Sequence, residues 1–372
     1  MDAIIYMGGY MYNKAIELIN ILNDNGYESY IVGGFVRDKL IGKESNDIDI
    51  CTSATPKEIM QLFDIATSTE NQYGAVTVIY KNYKYDVTTF RKEMKYEGNR
   101  KPVKIKYIKN IKKDLLRRDF TINTLCIDKD EKVIDLLNVR KDLDNKLIRT
   151  VGNPRYRICE DSLRILRAIR FSAILDFEIE EKTKYYLTKY SYLLKTLSYQ
   201  RKKDELNKIF LSLNKEKGRE LLVNLKLCKD LDIPKLKDID LCDDLIGIWA
   251  QLEVDDIYPF TKLEKEQMSE IRALMKENIY DAYTIYKYGL YVTTVVADIK
   301  NIDRKKINNI YSKLPILSSK DINIKPIEIS KILNRNPGSY LKDIMKDIEK
   351  EIVRNNLDND YEKIKEYIIN KY

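Results

Sequence analysis

The sequence predicts an α+β N-terminal head, a small mixed sheet with helices, followed by an elongated all-α region. Three observations carry this prediction. Over the first 130 residues, short runs of strand character alternate with short helical ones. From Asp161 onward, apolar residues recur at spacings of three and four almost to the end. The chain has 372 residues, 44% of them hydrophobic, which suits two or three packed units better than one core.

The first helix is expected after Tyr12, where Ala15, Ile16, Leu18, Ile19 and Leu22 share a face and Asn25-Gly26 ends it. Tyr30-Ile31-Val32 reads as a short strand running into Gly33-Gly34 and then a short helix. Asp47-Ile48-Asp49-Ile50 alternates with period two, as a half-buried strand does. Residues 56–63 read as a helix, and Ala75–Tyr80 with Lys84–Thr89 as a hairpin. Beyond residue 150 the reading is all-helical, in two or three sub-bundles. Its expected breaks are Pro234, Pro259, Pro315, Pro326 and Pro337-Gly338.

Composition narrows the chemistry. The chain contains no histidine, which excludes histidine-ligated metals, histidine-based triads and histidine general bases. Its five cysteines are scattered without a CxxC pair, so neither a zinc site nor a disulfide framework is expected, and a reducing cytoplasm is. No apolar run is long enough for a membrane span, and the N-terminus lacks the pattern of a signal peptide. AT-rich codon usage accounts for the 28 tyrosines without a tyrosine-specific function. Residues 91–118 hold 12 basic and 3 acidic side chains, a net +9, whereas the whole chain is only +8. That segment is either a solvated face or a phosphate-contacting one.

One constellation points to phosphoryl chemistry. Gly33 and Gly34, between strand and helix, let backbone N–H groups approach a phosphate, and Arg37 stands one turn further in, followed by Asp38. The same pattern alone also fits a plain strand–helix turn. On a strand, Asp47 and Asp49 point to one face. Two carboxylates held so close call for a hard cation such as Mg²⁺, although a lone DxD also occurs on solvated strand edges. Asp86, on a later strand, is the candidate third carboxylate for two-metal phosphoryl transfer, or else an ordinary exposed residue.

Gly33–Asp38 with Asp47 and Asp49 resembles the signature of the polymerase-β nucleotidyltransferase superfamily. More narrowly it resembles the class II tRNA nucleotidyltransferases, the CCA-adding enzymes, and the related bacterial poly(A) polymerases. Arg117-Arg118-Asp119-Phe120-Thr121-Ile122-Asn123 is similar to the family's RRDFTIN motif, and Glu160 to Phe171 to its ED-x-x-R-x-x-R-A-x-R-F motif. Ser198, Arg201, Glu205 and Leu206 fit a later motif, with Gln200 departing from the usual Glu. Leu314-Pro315 through Pro337-Gly338 looks like the tail of the bacterial enzymes, so the resemblance covers nearly the whole chain in order.

On a continuous helix, Asp161, Arg164, Arg167 and Arg170 would form one slowly drifting stripe, which is either a salt-bridged face or a reading surface. A carboxylate accepts from the exocyclic amino group of cytosine or adenine, and a guanidinium donates to the ring acceptor beside it. The resemblance implies this role for Asp161 and Arg164. It implies nucleotide contacts for Gly33, Gly34, Arg37, Asp38, Arg118, Asp119, Asn123, Arg167 and Arg170, catalysis by Asp47, Asp49 and Asp86, and Mg²⁺ on Asp47 and Asp49.

The implied domains are a catalytic nucleotidyltransferase head (1–140), a helical neck that recognises the base (141–212), and a helical body and tail that bind tRNA (213–372). The implied activity is template-independent addition of C, C and A to tRNA from CTP and ATP, with no membrane and no obligate protein partner. A poly(A) polymerase shares these motifs but usually carries a longer basic C-terminal extension. An enzyme adding only CC or only A is a further alternative, against which residues 91–102 look like the flexible loop that CC-adding members lack. A non-catalytic RNA-binding protein is the reading from another class.

Overall fold

The computed structural model describes residues 2–68, 74–97 and 101–372. The chain divides into two compact units, Met1–Lys237 and Asp238–Tyr372.

The first unit opens with helix α1 (Asp2–Asp24), which begins well before Tyr12 and buries Tyr12, Ala15, Leu18, Ile19 and Leu22. Gly26, at φ +83°, ends it in the left-handed conformation that glycine adopts without strain. Next come β1 (Ser29–Val32), α2 (Gly34–Leu40) and β2 (Asp49–Thr52). The second strand is shorter than its alternation suggests, because Asp47 and Ile48 lie ahead of the ladder.

Helix α3 (Pro56–Leu62) starts where Thr55 and Glu58 cap each other's backbone, with proline at its first position. Strands β3 (Ala66–Ser68), β4 (Ala75–Tyr80) and β5 (Tyr83–Thr89) follow. The expected hairpin of β4 and β5 is present. It turns through Lys81 and Asn82, both at positive φ, as a two-residue turn matched to strand twist requires.

Residues 91–102, expected as a loop, belong mainly to a separate antiparallel ribbon of β6 (Arg91–Glu97) and β7 (Lys101–Tyr107), while residues 98–100 lie outside the described part. Helix α4 (Ile111–Leu115) and strands β8 (Cys126–Ile127) and β9 (Val133–Ile134) complete the head. Its sheet has seven strands in the order β3-β4-β5-β2-β1-β8-β9, with β2 and β5 parallel and the other pairs antiparallel.

Helix α5 (Arg140–Asp144) and strand β10 (Leu147–Ile148) lead to α6 (Pro154–Glu160) and α7 (Leu163–Leu175). Strand β11 (Glu178–Ile179) then pairs in parallel with β10, a small exception to the all-helical reading beyond residue 150. Helices α8 (Glu181–Lys189), α9 (Tyr199–Phe210) and α10 (Lys215–Asn224) close the unit, with α9 and α10 packed on α7.

The second unit is helical: α11 (Leu245–Leu252), α12 (Lys262–Leu274), α13 (Ala282–Ile299), α14 (Arg304–Tyr311), α15 (Pro326–Ile332), α16 (Tyr340–Val353) and α17 (Tyr361–Lys371). Ile344, Ile348 and Ile352 of α16 meet Ile329 of α15 and Ile364 and Ile368 of α17 in one apolar cluster, the stripe that helical periodicity produces. Gly289, at φ +75°, kinks α13. Among the described residues, no helix is long and apolar enough to cross a membrane.

Candidate nucleotidyl-transfer site

The carboxylates gather where β1, β2 and β5 run side by side. Asp49 is the first residue of β2 and stands opposite Val32 on one side and Asp86 of β5 on the other. In-register residues of adjacent strands share a face, so Asp49 and Asp86 are direct neighbours. Thr77 Oγ1 donates to Asp86 Oδ1 at 2.8 Å. Asp47 precedes the strand and is exposed. Asp49 is solvent-exposed, but loss of solvation in its crowded surroundings pushes its carboxyl up to about 6, the charges of Asp47 and Asp86 push the same way, and Arg118 opposes them. Like-charged carboxylates thus crowd one face.

Gly33 sits against this face at φ +88° and ψ −141°. A Cβ there would lie 3.4 Å from Asp49 Oδ2 and 3.8 Å from Arg118 Nη1. The backbone conformation is what calls for glycine, since a Cβ at these distances would be in ordinary contact.

Behind the carboxylates lies an arginine network. Arg37 is buried, and its guanidinium is committed to protein, donating to Asp38 at 2.9 Å from Nε and Nη2 and to Asn123 Oδ1 at 2.7 Å from Nη1. Asn123 Nδ2 donates to Asp119 Oδ1 at 3.3 Å, and Arg167 donates to Asp119 Oδ2. Burial acts against the charge on Asp119, but Arg167 and the Phe120 N–H outweigh it and hold the carboxyl well below the usual carboxylate range. The Phe171 ring has the guanidinium carbons of Arg170, Arg37 and Arg167 at 4.6, 5.3 and 5.3 Å from its centre.

Asp161 departs from the expected stripe. It terminates α6 at φ −145°, and its Oδ1 accepts from the Leu163 N–H at 3.1 Å, which restarts the chain as α7. The helical row therefore begins at Arg164. That guanidinium is buried and donates to Arg157 O at 2.8 Å, Glu160 Oε2 at 3.0 Å and Arg117 O at 3.1 Å. Burial pushes the Asp161 carboxyl above its ordinary value, and the charge of Arg201, with Nη2 3.9 Å from Asp161 Oδ1, works against this. Arg170 donates to Glu205 Oε1 at 3.0 Å.

Sequence reasoning missed several participants. Arg201 and Glu205 were visible in their motif, but nothing in the spacing tied them to Asp161 and Arg170. Asp114, an acid within the basic run, pairs with Arg117 at 2.8 Å and Arg118 at 3.4 Å, and Glu93 pairs with Arg91 and Arg117 at 3.1 Å. These pairs hold Arg91, Arg117 and Arg118 against the protein and leave the segment's net +9, in which Glu93 and Asp114 are already counted, unchanged. Among the described residues, Arg118 Nε, Thr150 Oγ1, Ser162 Oγ, Arg201 Nη1 and Glu205 Oε2 are buried without a hydrogen-bond partner in the protein. Burial pushes the Cys126 thiol up to about 12, which rules it out as a nucleophile at neutral pH.

The comparisons agree with this geometry. Residues 29–149 match the poly A polymerase head domain, residues 176–238 the RNA and SrmB-binding site of polymerase A, and residues 261–368 a tRNA nucleotidyltransferase domain 2. The head fold and the matched head domain define a nucleotidyltransferase, a class that generally uses a divalent metal.

The relatives narrow the class. The chain is 33% identical to the CCA-adding enzyme of Ligilactobacillus salivarius over 94% of both chains, and 32% identical to that of Geobacillus sp. (strain WCH70) over 97% of both. The fold matches that of the Bacillus stearothermophilus CCA-adding enzyme in complex with CTP at a TM-score of 0.84, with 24% identity over 97% of each chain. It matches the Thermotoga maritima CCA-adding enzyme complexed with tRNA at 0.69, with 21% identity over 95% and 94%. The chain belongs to the CCA-adding enzyme family.

Proposed function

We propose that this chain adds C, C and A to the 3′ end of tRNA from CTP and ATP without a nucleic-acid template, releasing pyrophosphate. The observation that carries the reading is the 33% identity to a CCA-adding enzyme over 94% of both chains. The carboxylate face of Asp49, Asp86 and Asp47 supports it with chemistry suited to phosphoryl transfer.

A hard divalent cation fits the donors present. They are carboxylates only, and their mutual repulsion marks a deficit of positive charge. Among the described residues no group of three His, Cys, Asp or Glu is spaced to hold a metal unaided. Mg²⁺ is commonly held by one or two carboxylates, with substrate phosphates and waters filling its shell, so Asp47 and Asp49 are the proposed ligands. Bound there, in the two-ion arrangement expected from the sequence, it would supply charge for the triphosphate and activation of the 3′-hydroxyl.

The chain's own groups do the rest. Gly33 leaves room for phosphate beside Asp49, Arg118 supplies fixed positive charge next to it, and Asp86 completes the negative face. Arg37, Asp38, Asn123, Asp119 and Arg167 hold that floor rigid. Asp161 accepts from the exocyclic amino group that cytosine and adenine share, whereas uracil and guanine turn a carbonyl oxygen toward it. Arg164 pins the turn that carries Asp161 and stands beside it as its partner, and Arg170 is held by Glu205.

The proposed division of labour is catalysis in residues 1–140, base recognition in 141–212 and tRNA binding in 213–372. The proposed setting is the cytoplasm, where the five free cysteines remain reduced.

The test offers tRNAs ending before CCA, after C and after CC, with CTP or ATP, and sequences the products. Completion of CCA from all three supports the reading. Long A tails, arrest after CC or addition of A alone would each replace it.

A further inference from the structure

Residues 180–199 contain five of the chain's tyrosines, and the catalytic reading leaves them without a task. Helix α8 buries Thr183 and Leu187, and the 3-10 turn after it buries Leu193 and Leu194. Four tyrosines stand outside that core in one connected row. Tyr185 meets Tyr186 edge-on at 5.1 Å between ring centres, Tyr186 lies parallel to Tyr190 at 6.0 Å, and Tyr190 meets Tyr192 at 6.2 Å. The ends of the row are open, with Tyr185 58% and Tyr192 55% exposed.

Within residues 180–196 the charge beside the row is positive, with Lys195 paired to Asp230 at 3.5 Å. Residues 180–196 carry Lys182, Lys184, Lys189 and Lys195 against Glu180 and Glu181. Both acids are engaged, Glu180 with Arg149 and the Thr183 hydroxyl, and Glu181 with Lys184. Lys189 Nζ stands 5.5 Å from the centre of the Tyr185 ring. Codon usage accounts for the number of tyrosines but not for four of them touching in sequence, and core packing does not place rings in water. Exposed rings interleaved with lysines are the pattern that holds unpaired nucleic-acid bases, with stacking for the base and cations for the backbone.

We propose that Tyr185, Tyr186, Tyr190 and Tyr192 form a stacking platform for unpaired bases of the RNA substrate. The platform rests on the tRNA nucleotidyltransferase reading and adds a contact to it. Its position suits that use, because α8 packs on α6 and the end of α6 is Asp161, the proposed base-reading carboxylate. The Tyr186–Tyr190 pair braces the row, so the outer rings meet a base already ordered.

The experiment uses the full chain and a tRNA transcript lacking CCA, with 4-thiouridine at its unpaired positions. After irradiation, peptide mapping should find crosslinks within residues 185–192. In steady state, the Tyr185→Ala/Tyr192→Ala variant should raise KM for tRNA about tenfold, ahead of any change in kcat, with KM for CTP unmoved. Tyr185→Phe/Tyr192→Phe should restore it, because the ring stacks and the hydroxyl does not. Unchanged KM for tRNA together with no crosslink in this stretch overturns the platform. A wild-type dimer that the double alanine variant dissolves, with KM for tRNA unmoved, assigns the face to self-association and overturns it equally. If the wild-type protein adds no nucleotide to any tRNA, the functional reading fails, and crosslinking alone then decides the platform.

Discussion

Arg167 donates from Nε at 2.8 Å and from Nη2 at 2.6 Å to the same oxygen of Asp119. The other oxygen accepts from the Phe120 N–H at 2.8 Å and from Asn123 at 3.3 Å. One carboxylate thereby joins α7 to the segment between α4 and β8.

That pair makes stability depend on acid. The Asp119 carboxyl is held below its ordinary value in the folded chain, so its contribution is present above the unfolded value of ~4 and is lost as pH falls below it. Asp119→Asn should lower unfolding free energy at pH 7 by about 2 kcal/mol and flatten its fall between about pH 4 and 2. Urea titrations across pH check this, and parallel pH profiles for variant and wild type would refute it.

Gly33→Ala should affect activity more than folding. The backbone at φ +88° is costly for alanine, at about 1–3 kcal/mol, and relaxing it would shift the segment that lies against Asp49. Nucleotide incorporation should drop about a hundredfold, because small displacements of reacting groups are amplified in rate. A variant that folds and retains full incorporation would remove Gly33 from the site.

Asp49 links the site to cations and to pH. Its carboxyl is raised to about 6 in the metal-free chain, so the folded state binds the extra proton, and stability falls as pH rises from about 4 to 6. Asp49→Asn should therefore flatten that fall in the presence of EDTA. Mg²⁺ should raise the wild-type Tm at pH 8 and leave the Asp49→Asn variant unmoved, as scanning calorimetry would show. Asp47→Ala and Asp49→Ala should both abolish incorporation.

Base selection should reside at the break between α6 and α7. Asp161→Ala should relax discrimination against UTP and GTP by about tenfold to a hundredfold, the worth of a well-placed base contact. Arg201→Ala should relax it less, since Arg201 acts through Asp161 at 3.9 Å. Misincorporation ratios measured with all four nucleotides decide both.

Much of this was legible in the residues. Two strand-like runs about Lys81-Asn82-Tyr83 located β4 and β5, and period-two alternation located β2, although that strand begins only at Asp49. What escaped depended on tertiary contact. Asp161 looked helical because its spacing to Arg164 fits a helix, but its side chain caps the next helix and breaks the run. The tie between Arg37 and Asn123 was invisible because the two are distant in sequence and meet only on folding. The pairing of Asp114 and Glu93 with arginines inside the 91–118 run left no trace in local spacing.

The ring of Phe171 has a consequence for how this protein can change. Three arginines share it, and each answers to an acid, Arg37 to Asp38, Arg167 to Asp119 and Arg170 to Glu205. A substitution at any of these positions alters the surroundings in which the others are tolerated. The group therefore drifts together or stays put, and a library that varies these positions singly will underestimate which combinations survive.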